Sequence, residues 1–547
     1  MNKVWVSHYD QGVPESIHCP DKTVYQLFEE AVSINPDGIA TLFAGARTSY
    51  RKLGAKIDQF ANVLSGLGVK KGDRVAIVLP NIPAYPIAHF AVLKLGGILV
   101  PTNPLYVERE LASQLNNSGA ETVIILDQLY ERLSRVREDT FVKRIILAEV
   151  KDFLPMVLGV LYGLKNKSLV KADESKGIYT YRNLMKQSFR SVPAAKVNPD
   201  ETAIFLYTGG TTGISKGAVL THHNLVVNVY QTKSWLWSMN PGQDVLLCAL
   251  PFFHSYGMTT GLHLAVASHS TMLLVPRFEL VDVVKQIKKY KPTIFCGVPS
   301  LYNAISRYSK VSSSDVSSIQ LCISGGAALP ADVQSRFEAL TGGKLVEGYG
   351  LSETSPVALV NPIHGYRKSG TIGVPIPDTE ARVVHLKTRE NLNPGQVGEL
   401  AIKGPQVMKE YWKMPEETSE VLQDGWLYTG DMAIMDQEGF FSIVDRKKDM
   451  IISAGMNIYP REVEEILHQH PNIVEAAVVG IPSKVREETV KAYVVLEENQ
   501  ELTQQELIQF CTDKLAKYKI PKRVEFVKEL PKSALGKVLK RVLTESS

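Results

Sequence analysis

The middle of the chain alternates short, wholly apolar runs with segments whose apolar residues recur every three or four positions. TAIFLY (202–207), DVLLCAL (244–250), PTIFCGV (292–298), IQLCIS (319–324) and KLVEG (344–348) each stop at a loop rich in Gly, Pro, Ser or His, whereas FELVDVVKQIKKY and PADVQSRFEAL carry helical spacing. Continuous apolar strands between amphipathic helices predict a largely parallel sheet covered on both faces, and such sheets place ligands beyond the carboxyl ends of their strands. On that pattern the loop after TAIFLY, PFFHSYG, SGGAALP and GYGLSET meet in one crevice. An earlier stretch, from Thr23 to Ala120, repeats the alternation and predicts a second α/β layer.

After Thr371 the texture changes to short alternating strands with turns, IGVPIPDTEARVVHL and VGELAIKG, as in a small β-barrel or sheet. A different unit begins near Asp445. Its first helix starts at Pro460, with Glu462, Glu464 and Glu465 suited to the helix dipole, and Thr503 with Glu506 forms a capping-box pattern before LIQFCTDKLAKY. The fold class read from the pattern is α/β: a large N-terminal domain, 1–445, of two layered α/β subdomains plus a small β-barrel-like part, then a small α+β C-terminal domain, 446–547. The charge-dense turn DRKKD is a natural hinge between them. The segment FLPMVLGVLYGL (153–164) is too short to span a bilayer and is followed by Lys165, Lys167 and Lys171, so it reads either as a buried core helix or as a shallow insertion at an anionic membrane.

Composition narrows the partners. With 547 residues, 44% of them hydrophobic and 22% charged, the chain is typical of soluble globular proteins, and Lys plus Arg exceed Asp plus Glu by only 61 to 57, which argues against a nucleic-acid partner. MNKVWVSHYDQGVPES lacks a signal-peptide core, and TESS is not a retention or peroxisomal address. Five cysteines without a CxxC pair argue against zinc or a disulfide framework, and Cys248, Cys296 and Cys322 lie in strand-like runs as core residues. A reducing cytoplasm is the expected compartment, with the inner face of the membrane as a peripheral option.

The densest chemistry lies in YTGGTTGISKG, residues 207–217. Gly209, Gly210 and Gly213 let backbone N–H groups approach an anion, Thr208, Thr211, Thr212 and Ser215 add hydroxyls, and Lys216 adds charge. It is not a Walker A loop, because Ser215 rather than glycine precedes Lys216 and Gly217 follows it. This loop resembles the ATP-phosphate loop of the adenylate-forming superfamily of acyl-CoA synthetases, luciferases and adenylation domains. GYGLSETSP (348–356), DGWLYTGD (424–431), DRKKDMIISAGMNIYPREVE (445–464) and PKSALGK (531–537) resemble that family's later motifs in the family's order, and the likeness is strongest to bacterial long-chain fatty acid-CoA ligases.

The resemblance implies a reaction and assigns roles. A medium- or long-chain fatty acid, ATP and CoA are the expected substrates, giving first acyl-AMP and pyrophosphate and then acyl-CoA and AMP, and Mg2+ is the expected cofactor. ATP and AMP are expected at Thr208–Gly213 and Lys216, at Gly325, Gly326 and Ala327, at Tyr349 as the adenine-stacking aromatic, at Gly350 and Ser352, and at Asp431 and Arg446 as the ribose clamp. Glu353, with Thr208, is the implied metal ligand; taken by itself Glu353 also reads as a helix-start carboxylate. His254 is implied at the junction of acyl pocket and nucleotide. Lys537 is implied as the lysine that offsets charge during adenylation, although composition alone makes it a solvated side chain. Lys448 is the implied hinge of a mobile small domain, and Gly455 the implied lining of the CoA channel. Alternatives within enzymes are a coumarate-type aryl-CoA ligase and a carrier-protein-loading acyl-AMP ligase. Outside enzymes, the alternative is a catalytically dead acyl- or nucleotide-binding regulator. Peripheral membrane contact and a homodimer are further options.

Overall fold

The computed structural model describes residues 3–165, 170, 172–208, 215–453, 456–483, 487–498, 500–512, 514–532 and 538–545. By contact the chain divides into two units, Trp5–Glu380 with Lys403–Gly425, and Met1–Val4 with Ala381–Ile402 and Trp426–Ser547.

The larger unit is built on two sheets. The apolar runs predicted as central strands form Val245–Cys248, Ile294–Gly297, Leu321–Ser324 and Lys344–Gly350, and these sit in a nine-stranded sheet together with 271–274, 39–43, 46–49, 357–360 and 374–375. Their pairing is parallel from Ile294↔Leu321 through Leu321↔Lys344, as continuous burial on both faces requires. Cys248, Cys296 and Cys322 are buried free thiols within it. On one face Phe295, Tyr302 and Phe337 meet in a core closed by helices Leu280–Tyr290, Pro299–Arg307 and Ala331–Thr341.

One expectation from the pattern does not hold. The strand Thr202–Thr208 belongs not to that sheet but to a second one, of eight strands, where it pairs in parallel with Ile98–Pro101 and antiparallel with Lys216–Thr221. A strand that is apolar on both faces fits either sheet, so its side chains carry no code for the choice. The early α/β layer is this second sheet, with Arg74–Val78, Ile98–Pro101, Thr122–Leu126 and Arg144–Ala148 side by side. Helix Ala84–Lys94 is buried along its whole length, as an all-round apolar helix must be, and its one charge, Lys94, reaches Asp58 at 2.6 Å.

The smaller unit contains nearly all of the paired strands Glu380–Val384, Gly398–Lys403, Trp426–Met435 and Phe441–Arg446 of one sheet. At Arg446 the chain leaves that sheet, turns through 447–450 and enters another, whose longest ladder pairs Ile473–Ser483 with Glu487–Leu496. Helix Pro460–Leu467 starts at the predicted proline, and Thr503 and Glu506 exchange hydrogen bonds of 2.8 and 3.2 Å at the start of the next helix. Among the described residues no helix is long and apolar enough to cross a membrane.

Candidate active site

At the carboxyl ends of the nine-stranded sheet, the structure brings together three of the predicted segments. Gly325 N–H donates to Gly297 O at 3.0 Å, and a Cβ on Gly325 would lie 3.0 Å from the Tyr256 ring, whose hydroxyl donates to Ile323 O at 2.7 Å. Gly326 takes φ +78°, and Ala327 follows exposed. Ser352 Oγ stands 3.3 Å from Ser255 Oγ, and Thr259 donates to Ser355 O at 2.7 Å, so the HSYG and GLSET loops are tied directly. Tyr349 is half-buried on the strand that ends this loop. Gly350 has no room for a side chain, since a Cβ there would meet Pro356 O at 1.9 Å.

His254 caps the turn that follows it, accepting from Tyr256 N–H at Nδ1 over 3.4 Å, which leaves its proton on Nε2. Burial lowers its pKa to about 4, so the ring is neutral at pH 7. The loop that carries it is held from the other sheet by Asn81. This side chain donates to Cys248 O and Leu250 O at 2.9 and 2.8 Å and accepts from Phe252 N–H at 2.8 Å, while Tyr85 donates to Phe252 O at 2.9 Å. Asn81 and Tyr85 went unread in the sequence, where NIPAYP looks like an ordinary turn.

The predicted phosphate loop closes the hairpin between Thr202–Thr208 and Lys216–Thr221. Ser215 donates to Thr208 O at 2.7 Å and Thr208 to Lys216 O at 3.4 Å; Gly209, Gly210, Thr211, Thr212 and Gly213 lie outside the described residues. A third strand adds to this hairpin, with Tyr411 opposite Ala218. It brings Tyr411 O–H to Glu353 Oε1 at 2.7 Å and sets the Lys216 ammonium 5.2 Å from the centre of the Tyr411 ring. Met408 N–H also donates to Glu353 O at 2.7 Å. Burial, then the Glu353 charge, push the Tyr411 phenol pKa up, so it remains a donor. Stacking of Trp412 on Phe205, ring centres 4.4 Å apart, fixes the third strand in place. Tyr411 is the third residue that the sequence did not offer. Although the phosphate loop and GLSET stem from different sheets, both the hairpin strands touch the turn Ser352–Thr354. A carboxylate and the Thr208 hydroxyl are hard oxygen donors of the kind magnesium takes together with phosphate oxygens.

In the smaller unit Asp431 and Arg446 face each other across paired strands, Arg446 Nε 3.2 Å from Asp431 Oδ1. Asp431 is 4% exposed, so its carboxylate is presented by the strand rather than free in solvent. Beside it Glu399 accepts from Gly430 N–H at 3.1 Å and from Lys447 Nζ at 3.2 Å, bracing the turn. Lys448 lies exposed in the turn between the two sheets. Gly455 and Lys537 lie outside the described residues.

The family AMP-binding enzyme matches residues 28–412, and AMP-binding enzyme C-terminal domain matches 462–537; the chain belongs to this family of AMP-binding enzymes. Among its relatives, the long-chain-fatty-acid–CoA ligase of Bacillus subtilis (strain 168) is 44% identical over 99% of this chain and 98% of its own. That of Escherichia coli O157:H7 is 40% identical over 100% and 99%. The ATP-bound crystal structure of MatB from Rhodopseudomonas palustris aligns with a TM-score of 0.85 at 29% identity, covering 96% of this chain and 99% of that one.

Proposed function

We infer that the chain is an ATP-dependent, AMP-forming fatty acid-CoA ligase. The observation that carries this is end-to-end similarity, 37–44% identical, to relatives that are long-chain-fatty-acid–CoA ligases. In the first half-reaction a carboxylate oxygen of the fatty acid attacks the α-phosphorus of ATP, the bond to pyrophosphate breaks, and acyl-AMP forms. In the second the CoA sulfur attacks the acyl carbon and AMP leaves with the electron pair.

The assignment of residues is part of the proposal. The acid is already ionised at pH 7, so no general base is needed, which agrees with a neutral His254 acting as a wall and Nε2–H donor. The loop 208–216 holds the ATP phosphates through backbone N–H groups, hydroxyls and Lys216. Glu353 and Thr208 are the residues that would hold magnesium, with Tyr411 orienting the carboxylate. Magnesium, when bound, supplies charge that offsets the triphosphate. Asp431 accepts from the ribose hydroxyls and Arg446, 3.2 Å from one of its oxygens, keeps the carboxylate aimed. Lys537 supplies positive charge as carboxylate and phosphate approach. We further propose that 446–547 acts as a unit turning about Lys448, because the chain changes sheets across the turn 447–450, and that Gly455 lines the path of the thiol.

The test is pyrophosphate release with a panel of carboxylic acids. Saturated fatty acids are expected to support release and then CoA-dependent AMP release, ahead of coumarate and benzoate. Preference for an aryl acid would move the chain to the aryl-CoA ligases, and no release with any acid would make it a binder.

A further inference from the structure

The helix Met156–Lys165 presents the wrong face to the protein. Met156, Val157, Val160, Leu161 and Leu164 are 84%, 71%, 59%, 58% and 68% exposed. At about 100° per residue these five fall within one sector of roughly 140°. The rest of the circumference holds Leu158, which is 46% exposed, together with Gly159, Tyr162 and Gly163. A Cβ on Gly159 would lie 3.0 Å from Lys151 O, one on Gly163 would lie 3.5 Å from the Lys151 side chain, and Gln128 donates to the Tyr162 hydroxyl at 2.9 Å. The helix therefore docks by its glycines and turns its large apolar side chains outward. This overturns the reading of the segment as a buried core helix. A contiguous apolar face of this kind marks a surface that something else covers.

We propose that this face is a membrane-surface anchor for anionic lipid. The helix has ten residues, about 15 Å of length against a hydrocarbon core of about 30 Å, so it can lie in the interface and cannot span. Charge selects the lipid: in the sequence, residues 153–171 contain no Asp or Glu and carry Lys165, Lys167 and Lys171. A stretch without any Asp or Glu also has no acidic partner to offer the lysines of a second copy of itself. A bilayer is also where a long acyl chain concentrates, so, on the function proposed above, an anchor here draws the protein to its substrate.

The experiment is flotation of the full chain with phosphatidylcholine vesicles and with vesicles containing about a third phosphatidylglycerol, at low and high salt. The variant V157Q/V160Q/L161Q/L164Q keeps good helix formers while removing the apolar face. The wild type is expected to float with the anionic vesicles, less so at high salt, and the variant to lose at least about tenfold in partitioning. Activity of both on octanoate in solution should be equal, which separates anchoring from catalysis. K165E/K167E/K171E should lose the preference for anionic lipid. Failure of the wild type to float, or equal flotation of the glutamine variant, overturns the proposal. A dimer that the glutamine variant dissolves, in a wild type that ignores vesicles, assigns the face to a second copy instead.

Discussion

Tyr411 O–H donates to Glu353 Oε1 at 2.7 Å although the two residues are 58 positions apart. The bond joins the strand beside the phosphate-loop hairpin to the turn carrying the candidate metal ligand, with Lys216 5.2 Å from the same phenol ring. It fixes one carboxylate oxygen and leaves the other to point elsewhere. Replacing Tyr411 by Phe keeps the ring and removes only the donor. A hydrogen bond to a charged group contributes about 1.5–3 kcal/mol, so kcat/KM for ATP should fall by roughly ten- to a hundredfold. The apparent magnesium requirement should rise with it, and the melting temperature should move little. An unchanged magnesium titration would show that Tyr411 does not position Glu353.

Gly350 and Gly342 make a matched pair. At Gly350 an added Cβ meets backbone, Pro356 O at 1.9 Å, and something in the GLSET loop must shift. At Gly342 the φ is +75° and nothing lies within 4 Å, so the cost is conformational only. Gly342→Ala should cost about 1–2 kcal/mol of stability with normal turnover. Gly350→Ala should abolish pyrophosphate release, because the displaced loop carries Ser352 and Glu353. Denaturant midpoints and the release assay read both, and full activity in Gly350→Ala would mean that the loop is not part of the site.

Legibility followed the kind of signal each element carries. Pro460 and the Thr503–Glu506 box were readable because capping is local, needing only residues a turn apart. The apolar runs announce strands but not their sheet, so the pattern sets Thr202–Thr208 beside the wrong neighbours: its parallel partner at 98–101 is as apolar as the strands of the other sheet. The loops at strand ends were readable as chemistry from glycine, hydroxyl and charge. Asn81, Tyr85 and Tyr411 were not, because each acts on a residue far along the chain and none sits in an unusual local pattern. For 156–165, composition was visible but orientation was not. Only packing decides which face of a short apolar helix meets the protein.

Buried histidines predict acid lability. His222 and His263 are each 1% exposed, and burial lowers their pKa values from 6.5 to about 4 and about 3. The unfolded chain therefore binds protons first, and stability present at pH 7 is lost as the pH falls from 6.5 toward those values. By pH 5 each ring should cost about 2 kcal/mol. His222 accepts from Val24 N–H at Nδ1 over 3.2 Å, and Asn can offer an acceptor there without titrating. His222→Asn should thus lower stability at pH 7.5 slightly and narrow the gap between urea midpoints at pH 7.5 and pH 5. An unaltered gap would assign the acid sensitivity to other groups.

The last prediction separates the two half-reactions. Lys537 is proposed to act only while a carboxylate approaches the α-phosphorus, where two negative groups must come within bonding distance. Once acyl-AMP exists that repulsion is gone, and attack by sulfur on an acyl carbon has no such need. Lys537→Ala should therefore slow pyrophosphate release by about 10² to 10³, or roughly 3–4 kcal/mol. Consumption of supplied acyl-AMP by CoA should proceed near the wild-type rate. Gly455 is proposed to line the thiol path, so Gly455→Leu should do the reverse, obstructing transfer and leaving ATP and acid untouched. The measurement is a pair of single-turnover assays on the same preparations, one following pyrophosphate and one following acyl-AMP. If both variants lost both steps equally, Lys537 and Gly455 would not serve separate half-reactions, and turning of 446–547 about Lys448 would have no function left to explain.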